Sequence, residues 1–305
     1  MALNIRTYHD VEDGASDLGE QVAGQQARVD ARLAAVRHVV GVMSGKGGVG
    51  KSLVTAALAT VLARRGHAVG VLDADLNGPS IGRMLGCPRH PLAVHRDGID
   101  PCMAPSGVLV MSMDLLLDPD TALHWNEPSE ASFVWRGTQE RSALREFLAD
   151  VRWGPLDALL VDLPPGVGRL AELHELLPDL AGVIAVTIPS AASRDAVGRS
   201  LDLAARRGIR VLGLVENLRG YRCETCGDDG PLFGGDASDE LSRRFDVDPL
   251  GALPFDPTLD RAAAAGALEA WLSAGGATAT DLSGIAARVE RAVLGEPCAT
   301  RAAAP

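Results

Sequence analysis

Eight consecutive residues, Gly45-Lys46-Gly47-Gly48-Val49-Gly50-Lys51-Ser52, carry the spacing G-x-x-x-x-G-K-[ST]. Each residue type there has a chemical reason. Glycines let the backbone turn with its N–H groups facing inward, so that a phosphate can sit at the start of the following helix. Lys51 offers a positive charge to the β- and γ-phosphates of a nucleoside triphosphate, and the Ser52 hydroxyl is a hard oxygen ligand for Mg²⁺. Two apolar runs end in carboxylates that suit the same chemistry: Val71-Leu72-Asp73-Ala74-Asp75 and Leu159-Leu160-Val161-Asp162. Open α/β sheets present their ligand groups at strand ends of this kind. Asp73 and Asp75, two apart, fall on one side of the chain, and Asp162 can hold Mg²⁺ through water.

A second chemistry is written in Cys223-Glu224-Thr225-Cys226. Structural zinc and a [4Fe–4S] cluster each take four thiolates or equivalents, so one such pair is two ligands short. Cys87, Cys102 and Cys298 stand apart, and no histidine lies at finger spacing. A two-fold dimer would bring two pairs to its axis and complete a Cys₄ set. A redox dithiol and an inert loop pair are the other readings of the same residues. The methionines at 43, 84, 111 and 113 sit in apolar runs and read as core filler. His90, His95 and His124 show no ligand spacing.

These groups need elements to hold them. Val39–Met43, Ala68–Leu72, Val108–Met111, Ala158–Val161, Val183–Thr187 and Val211–Val215 read as buried strands. Ser52–Arg65, Ser142–Val151, Ala192–Arg206 and Leu282–Leu294 read as the helices between and after them. Continuous apolar strands separated by helices predict an α/β fold, a mostly parallel sheet covered on both faces, in a single domain. Residues 1–36 form an extension that begins acidic and becomes helical, with Leu18, Val22, Val29, Leu33 and Val36 on one face. The domain runs over 37–297, its CxxC loop spans 219–236, and 298–305 is expected to be a disordered tail.

Bulk properties set the outer limits. At 305 residues and 47% hydrophobic, the chain can bury a full core. A net charge of −11 argues against a broad nucleic-acid-binding face. The longest apolar stretch, around residues 180–188, is about half of what a membrane span needs. No secretory pattern opens the sequence, and five cysteines do not suggest a disulfide scaffold, so a cytoplasmic setting without membrane attachment is expected.

The loop Lys46-Gly47-Gly48-Val49-Gly50-Lys51-Ser52 resembles the deviant Walker A form of the P-loop ATPases, the superfamily of the Min and Par proteins and the nitrogenase iron protein. Asp73-Ala74-Asp75-Leu76-Asn77-Gly78-Pro79-Ser80, Trp135-Arg136-Gly137, Asp162-Leu163-Pro164-Pro165-Gly166, Glu216-Asn217, the CxxC and Leu232-Phe233-Gly234 narrow the resemblance to the Mrp/ApbC-type iron–sulfur cluster carrier ATPases, from about Val36 to Leu294. The resemblance implies a homodimeric, ATP- and Mg²⁺-dependent P-loop NTPase. Lys46 would act across the dimer, Asp75 would orient the attacking water with Asp73 nearer the metal, and Asn217 would contact adenine. Cys223 and Cys226 would hold a labile [4Fe–4S] cluster between subunits for delivery to apo iron–sulfur proteins. A Min/Par-like positioning switch is the alternative within the superfamily, and it has no use for the CxxC. Three departures from the family pattern stand out: Val167-Gly168-Arg169 in place of Thr-Gly-Asp, Thr138 in place of proline, and Glu224 in place of proline. The first removes a hydroxyl and reverses a charge near the expected γ-phosphate sensor, which implies slow hydrolysis.

Overall fold

The computed structural model describes residues 18–76, 78–88, 92–116, 132–223 and 225–294. The expectations for Asn77, His90, His124, Glu224, Cys298, the acidic start of the chain and the tail therefore lie outside the described residues. Helix α1 (Leu18–Leu33) leads into β1 (Val39–Ser44), α2 (Lys51–Arg64), β2 (Val69–Asp73) and the single turn α3 (Ile81–Met84). A small hairpin of β3 (Val94–His95) and β4 (Gly98–Ile99) precedes β5 (Cys102–Met103) and β6 (Leu109–Met111). Next come α4 (Ser132–Asp150), β7 (Ala158–Asp162), α5 (Gly168–Leu176), β8 (Gly182–Thr187), α6 (Ala191–Arg207) and β9 (Val211–Glu216). A second hairpin, β10 (Gly220–Arg222) with β11 (Asp229–Pro231), is followed by α7 (Ala237–Phe245) and β12 (Pro249–Ala252). Three helices close the described chain: α8 (Pro257–Ala264), α9 (Leu268–Ala274) and α10 (Ala277–Val289).

Eight strands form one sheet in the order β12-β9-β8-β1-β7-β2-β6-β5, parallel throughout except for β5, which runs antiparallel to β6 at the edge. Strand side chains alternate between two cores because successive residues point to opposite faces. Val40, Val42, Val69, Val71, Leu160, Ile184 and Val186 pack on one side with α2 and α8–α10. Met43, Leu72, Leu159, Val161, Val183 and Ala185 pack on the other with α1 and α4–α7. Burial on both faces is why these strands read as continuous apolar runs. It also gives the sheet its stability, at about 1.5–3 kcal/mol for each large aliphatic side chain removed from water.

The expected strands and helices are present, with instructive differences at their ends. Helix α4 starts ten residues before the expected Ser142, at Ser132. The C-terminal helix starts at Ala277 rather than Leu282 and finishes in a π turn over Glu290–Leu294. That turn is fixed by Glu290, which accepts from Arg65 Nη2 at 2.5 Å and meets His67 Nε2 at 2.6 Å. The N-terminal helix ends at Leu33. Val36 instead bridges to Leu156 beside the sheet, and Val29 and Leu33 enter the core shared with α4. The region 219–236, expected to be a loop, contains the β10–β11 hairpin.

Candidate functional site

Every central strand delivers its C-terminal end to the same rim of the sheet. The segment after β1, residues 45–50, wraps that rim and feeds α2, whose first residue is Lys51. Two glycines in it have no substitute. A side chain at Gly45 would place its first carbon 2.3 Å from the Ala196 carbonyl carbon, because the loop lies on the backbone of α6. Gly50 sits at φ 78° as the cap of α2, and a side chain there would meet the Asn217 amide nitrogen at 2.2 Å. Ser44 Oγ steadies the turn by donating to the Lys46 carbonyl at 3.0 Å. The start of α2 thus presents its N–H groups at the rim, where the helix dipole favours an anion.

Behind the loop lies a buried polar knot. Lys51 Nζ reaches Asp162 Oδ2 at 2.5 Å, and Ser52 Oγ donates to the same oxygen at 2.6 Å. Thr55 Oγ1 takes the other oxygen, Oδ1, at 2.6 Å. Asp162 is fully buried and Lys51 is 6% exposed. A hydroxyl and a carboxylate oxygen converging on one point make a hard-oxygen set that fits Mg²⁺. Thr55 did not stand out in the sequence, where it reads as filler in an alanine-rich helix. Its signal is spacing: Thr55 lies four residues after Lys51 and three after Ser52, on the helix face they share.

Asp73 is the neighbour of Asp162 across the β2–β7 ladder. Its Oδ2 accepts from the backbone N–H of Ser80 at 2.9 Å and of Ile81 at 3.1 Å, and from Ser112 Oγ at 2.9 Å. Its Oδ1 accepts from the Asp75 N–H at 3.1 Å. The Ser80 and Ile81 contacts tie the strand end to the start of α3, and Ser112 ties it to the segment after β6. Burial, and secondarily the Asp162 carboxylate, push Asp73 up to about 7 in spite of those donors. Asp75 is half-buried at the rim and accepts from the Gly78 N–H at 3.3 Å. Lys46 is half-buried on the loop and forms no ion pair among the described residues. Asn217 donates from Nδ2 to the Val49 carbonyl at 2.9 Å, so its side chain braces the phosphate loop from behind. The structure thus gathers Lys51, Ser52 and Asp162 into one cluster, with Asp73 beside it. Asp75, Lys46 and Asn217 stand around it on separate contacts.

The cysteine pair lies on the turn joining β10 and β11, which leaves the same rim of the sheet just after Asn217. The turn is closed by the Cys223 N–H to the Asp228 carbonyl at 2.9 Å and the Gly227 N–H to the Cys223 carbonyl at 2.8 Å. Cys226 is exposed and Cys223 half-buried. The backbone N–H groups of Cys226 and Thr225 point at the Cys223 sulfur and hold its thiol below the ordinary range. A thiol poised in this way is ready to bind metal as thiolate. No group of three or more His, Cys, Asp or Glu side chains converges among the described residues, so within one chain the pair stands at two ligands. Cys87 and Cys102, separate in sequence, face each other in the core, where contact with Cys102 and burial push the Cys87 thiol up.

Arg169 opens α5 and pairs with Glu172 at 2.9 Å. Just before it, the Gly166 N–H donates to the Ser44 carbonyl at 3.3 Å, so the segment with the unusual Val167-Gly168-Arg169 is anchored at the base of the phosphate loop. No described helix is long and apolar enough to cross a membrane.

Comparison with known proteins identifies the family and the fold. A family model described as NUBPL iron-transfer P-loop NTPase matches residues 35–290. The chain is 38% identical over 250 residues to a protein of Saccharolobus solfataricus named iron-sulfur cluster carrier protein, covering 82% of this chain and 81% of that one. It is 40% identical over 238 residues to the human cytosolic Fe-S cluster assembly factor NUBP2, covering 75% and 83%. Among solved structures, a nucleotide-binding protein of Archaeoglobus fulgidus in complex with ADP is 33% identical with a TM-score of 0.68, covering 81% of this chain and 93% of that one. The septum site-determining protein MinD of Pyrococcus horikoshii shares the fold, with a TM-score of 0.57 at 21% identity, covering 83% and 96%. The chain belongs to the family of NUBPL iron-transfer P-loop NTPases.

Proposed function

We propose that this protein is an ATP-dependent carrier of [4Fe–4S] clusters, holding a labile cluster between two identical subunits and passing it to apo iron–sulfur proteins. The observation that carries the reading is the CxxC turn, with Cys226 exposed and no third ligand converging on the pair among the described residues, rising from the rim that also bears the phosphate loop. A cluster that takes four thiolates is completed by the same pair from a second copy. Carriers and assembly factors among the relatives support the same conclusion. A Min/Par-like switch shares the fold yet leaves the cysteine turn without a purpose.

In this reading the backbone N–H groups of residues 45–50 and the start of α2 bind the phosphates. Lys51 leaves Asp162 to reach the β- and γ-phosphates, and Ser52 and Asp162 hold Mg²⁺. The metal neutralises phosphate charge when it is bound. Asp75 orients the attacking water, and Lys46 stabilises charge on the partner's nucleotide. Asp73 supports both by fixing the strand end to α3. Asn217, which already braces Val49, contacts adenine. Hydrolysis is slow because Arg169 stands where the family carries an acid. ATP binding brings the subunits together, and turnover releases the cluster from an exposed site where a recipient's thiolates can compete for it.

The test is anaerobic reconstitution with iron and sulfide. The wild-type chain should take up about four iron per two chains and gain broad absorbance near 400 nm. A Cys223→Ser/Cys226→Ser double variant should take up none. Unchanged iron uptake in that variant would refute the carrier reading.

A further inference from the structure

Residues 216–219, at and just after the end of β9, touch the phosphate loop through Asn217 and lead into the hairpin that carries the cysteine turn. On one side, Asn217 is wedged under the loop: its Nδ2 donates to the Val49 carbonyl and blocks any side chain at Gly50, and its own N–H is held by the Thr187 carbonyl at 2.8 Å. On the other side, Arg219 begins the hairpin. Its N–H donates to the Leu253 carbonyl at 3.0 Å, and its guanidinium lies 3.4 Å from the buried carboxylate of Glu216. That carboxylate also accepts from the Ser238 N–H at 3.0 Å. Two residues on, the Tyr221 and Phe255 rings stack with centroids 6.1 Å apart, and the Phe255 N–H donates to the Gly220 carbonyl at 2.6 Å. These contacts tie Arg219 and the hairpin base to residues 253–255, and Cys223 follows two residues after Tyr221.

Between these two anchors stands Leu218, at φ 55°. A leucine rarely holds the left-handed region, where its Cβ crowds the backbone. The other non-glycine residue there among the described ones, Asp246, caps α7, a position that tolerates it. Leu218 caps no helix. Strain of this kind persists only where the surroundings impose it, and it collects at switching segments. A cleft of about 360 Å³, lined by Arg219, Gly220, Leu253 and Pro254, lies beside the hairpin base.

We propose that residues 216–219 form a strained joint through which the occupant of the phosphate loop sets the position of the cysteine pair, with Leu218 and Arg219 as its positioning residues. This rests on the carrier reading above. A phosphate that reshapes residues 49–50 displaces Asn217, and the joint converts that displacement into a swing of the β10–β11 turn. By linkage, nucleotide then alters iron retention and iron alters nucleotide affinity by the same factor.

The experiment follows iron loss from anaerobically reconstituted protein to a ferrous chelator, with and without MgATP. In the wild type, nucleotide should change the iron affinity read from the equilibrium share kept against the chelator by at least about fivefold. Leu218→Gly accepts the same φ without strain and adds freedom to the joint. It should bring the ratio towards unity, and with it the difference in ATP affinity between iron-free and iron-loaded protein, while iron content and the ATP affinity of the iron-free protein stay at wild-type values, a combination that general damage to the fold would not give. Arg219→Ala removes an exposed guanidinium, so it tests the joint even if Leu218→Gly folds poorly, and its ratio should fall as well. Wild-type ratios in the folded variants overturn the joint and leave the carrier reading standing. A wild type that holds iron yet ignores nucleotide overturns the joint together with ATP control. A wild type that takes up no iron removes the carrier reading itself.

Discussion

Lys51 and Asp162 meet with almost no water around them, and that setting decides what substitution does at each. Lys51→Ala removes both the phosphate ligand and the partner of a buried carboxylate. Isothermal calorimetry with MgATP should show no binding heat, and wild-type affinity would contradict the loop assignment. Stability should drop too, near the low end of the roughly 3–5 kcal/mol seen when a buried pair is broken, because Ser52 and Thr55 still donate to Asp162. Thr55→Val keeps the shape and deletes one donor, so the fold should lose about 1–3 kcal/mol. The same variant should need more Mg²⁺ for nucleotide binding, and Thr55→Ser should restore it. A Mg²⁺ titration unmoved by Thr55→Val would assign Thr55 to packing alone. Asp73 carries a pH signature. Its ordinary value is 3.8, and burial raises it to about 7 in the folded chain. Between those values the folded state holds a proton that the unfolded state has released, so this group makes stability fall as pH rises. Urea midpoints should therefore decline less steeply from pH 4 to 7 in Asp73→Asn than in the wild type, and parallel slopes would contradict the assignment.

At the level of elements, the rim works because backbones touch where no side chain intervenes. Gly45 lies on the α6 backbone at Ala196 and Val197, neither of which can yield as a flexible side chain would. Gly45→Ala should cost about 3 kcal/mol or more, or prevent folding altogether. A melting temperature within a degree of the wild type would show that α6 can retreat. Six of the eight sheet strands were legible in the sequence because burial on both faces makes them read as short apolar runs, as in Val39-Val40-Gly41-Val42, whereas the two edge strands, β5 and β12, span two and four residues and carry no such run. Phosphate loop and Asp162 were legible because their chemistry fixes both residue type and spacing. The short helices were not: α8 and α9 span two turns or so, each with too few apolar positions to show a period. Helix α5 did carry a signal, Leu170, Leu173 and Leu176, all buried on one face. The facing of Cys87 with Cys102, the bracing of Val49 by Asn217 and the left-handed Leu218 are tertiary facts. No spacing rule announces them.

For the whole molecule, the proposed reading gives one subunit a nearly complete phosphate site and half of a metal site. The chain carries a net charge of −11, and two such surfaces repel unless something favours their approach. Shared iron and trans-acting Lys46 would each supply that attraction, which is why assembly should depend on both ligands. Native mass spectrometry of protein reconstituted without air, in the presence of MgATP, tests the central claim most directly. The account predicts a particle of two chains carrying four iron and four sulfide, which falls apart into single chains once the iron is chelated and the nucleotide removed. Single chains that keep their iron, or pairs that hold none, would contradict it.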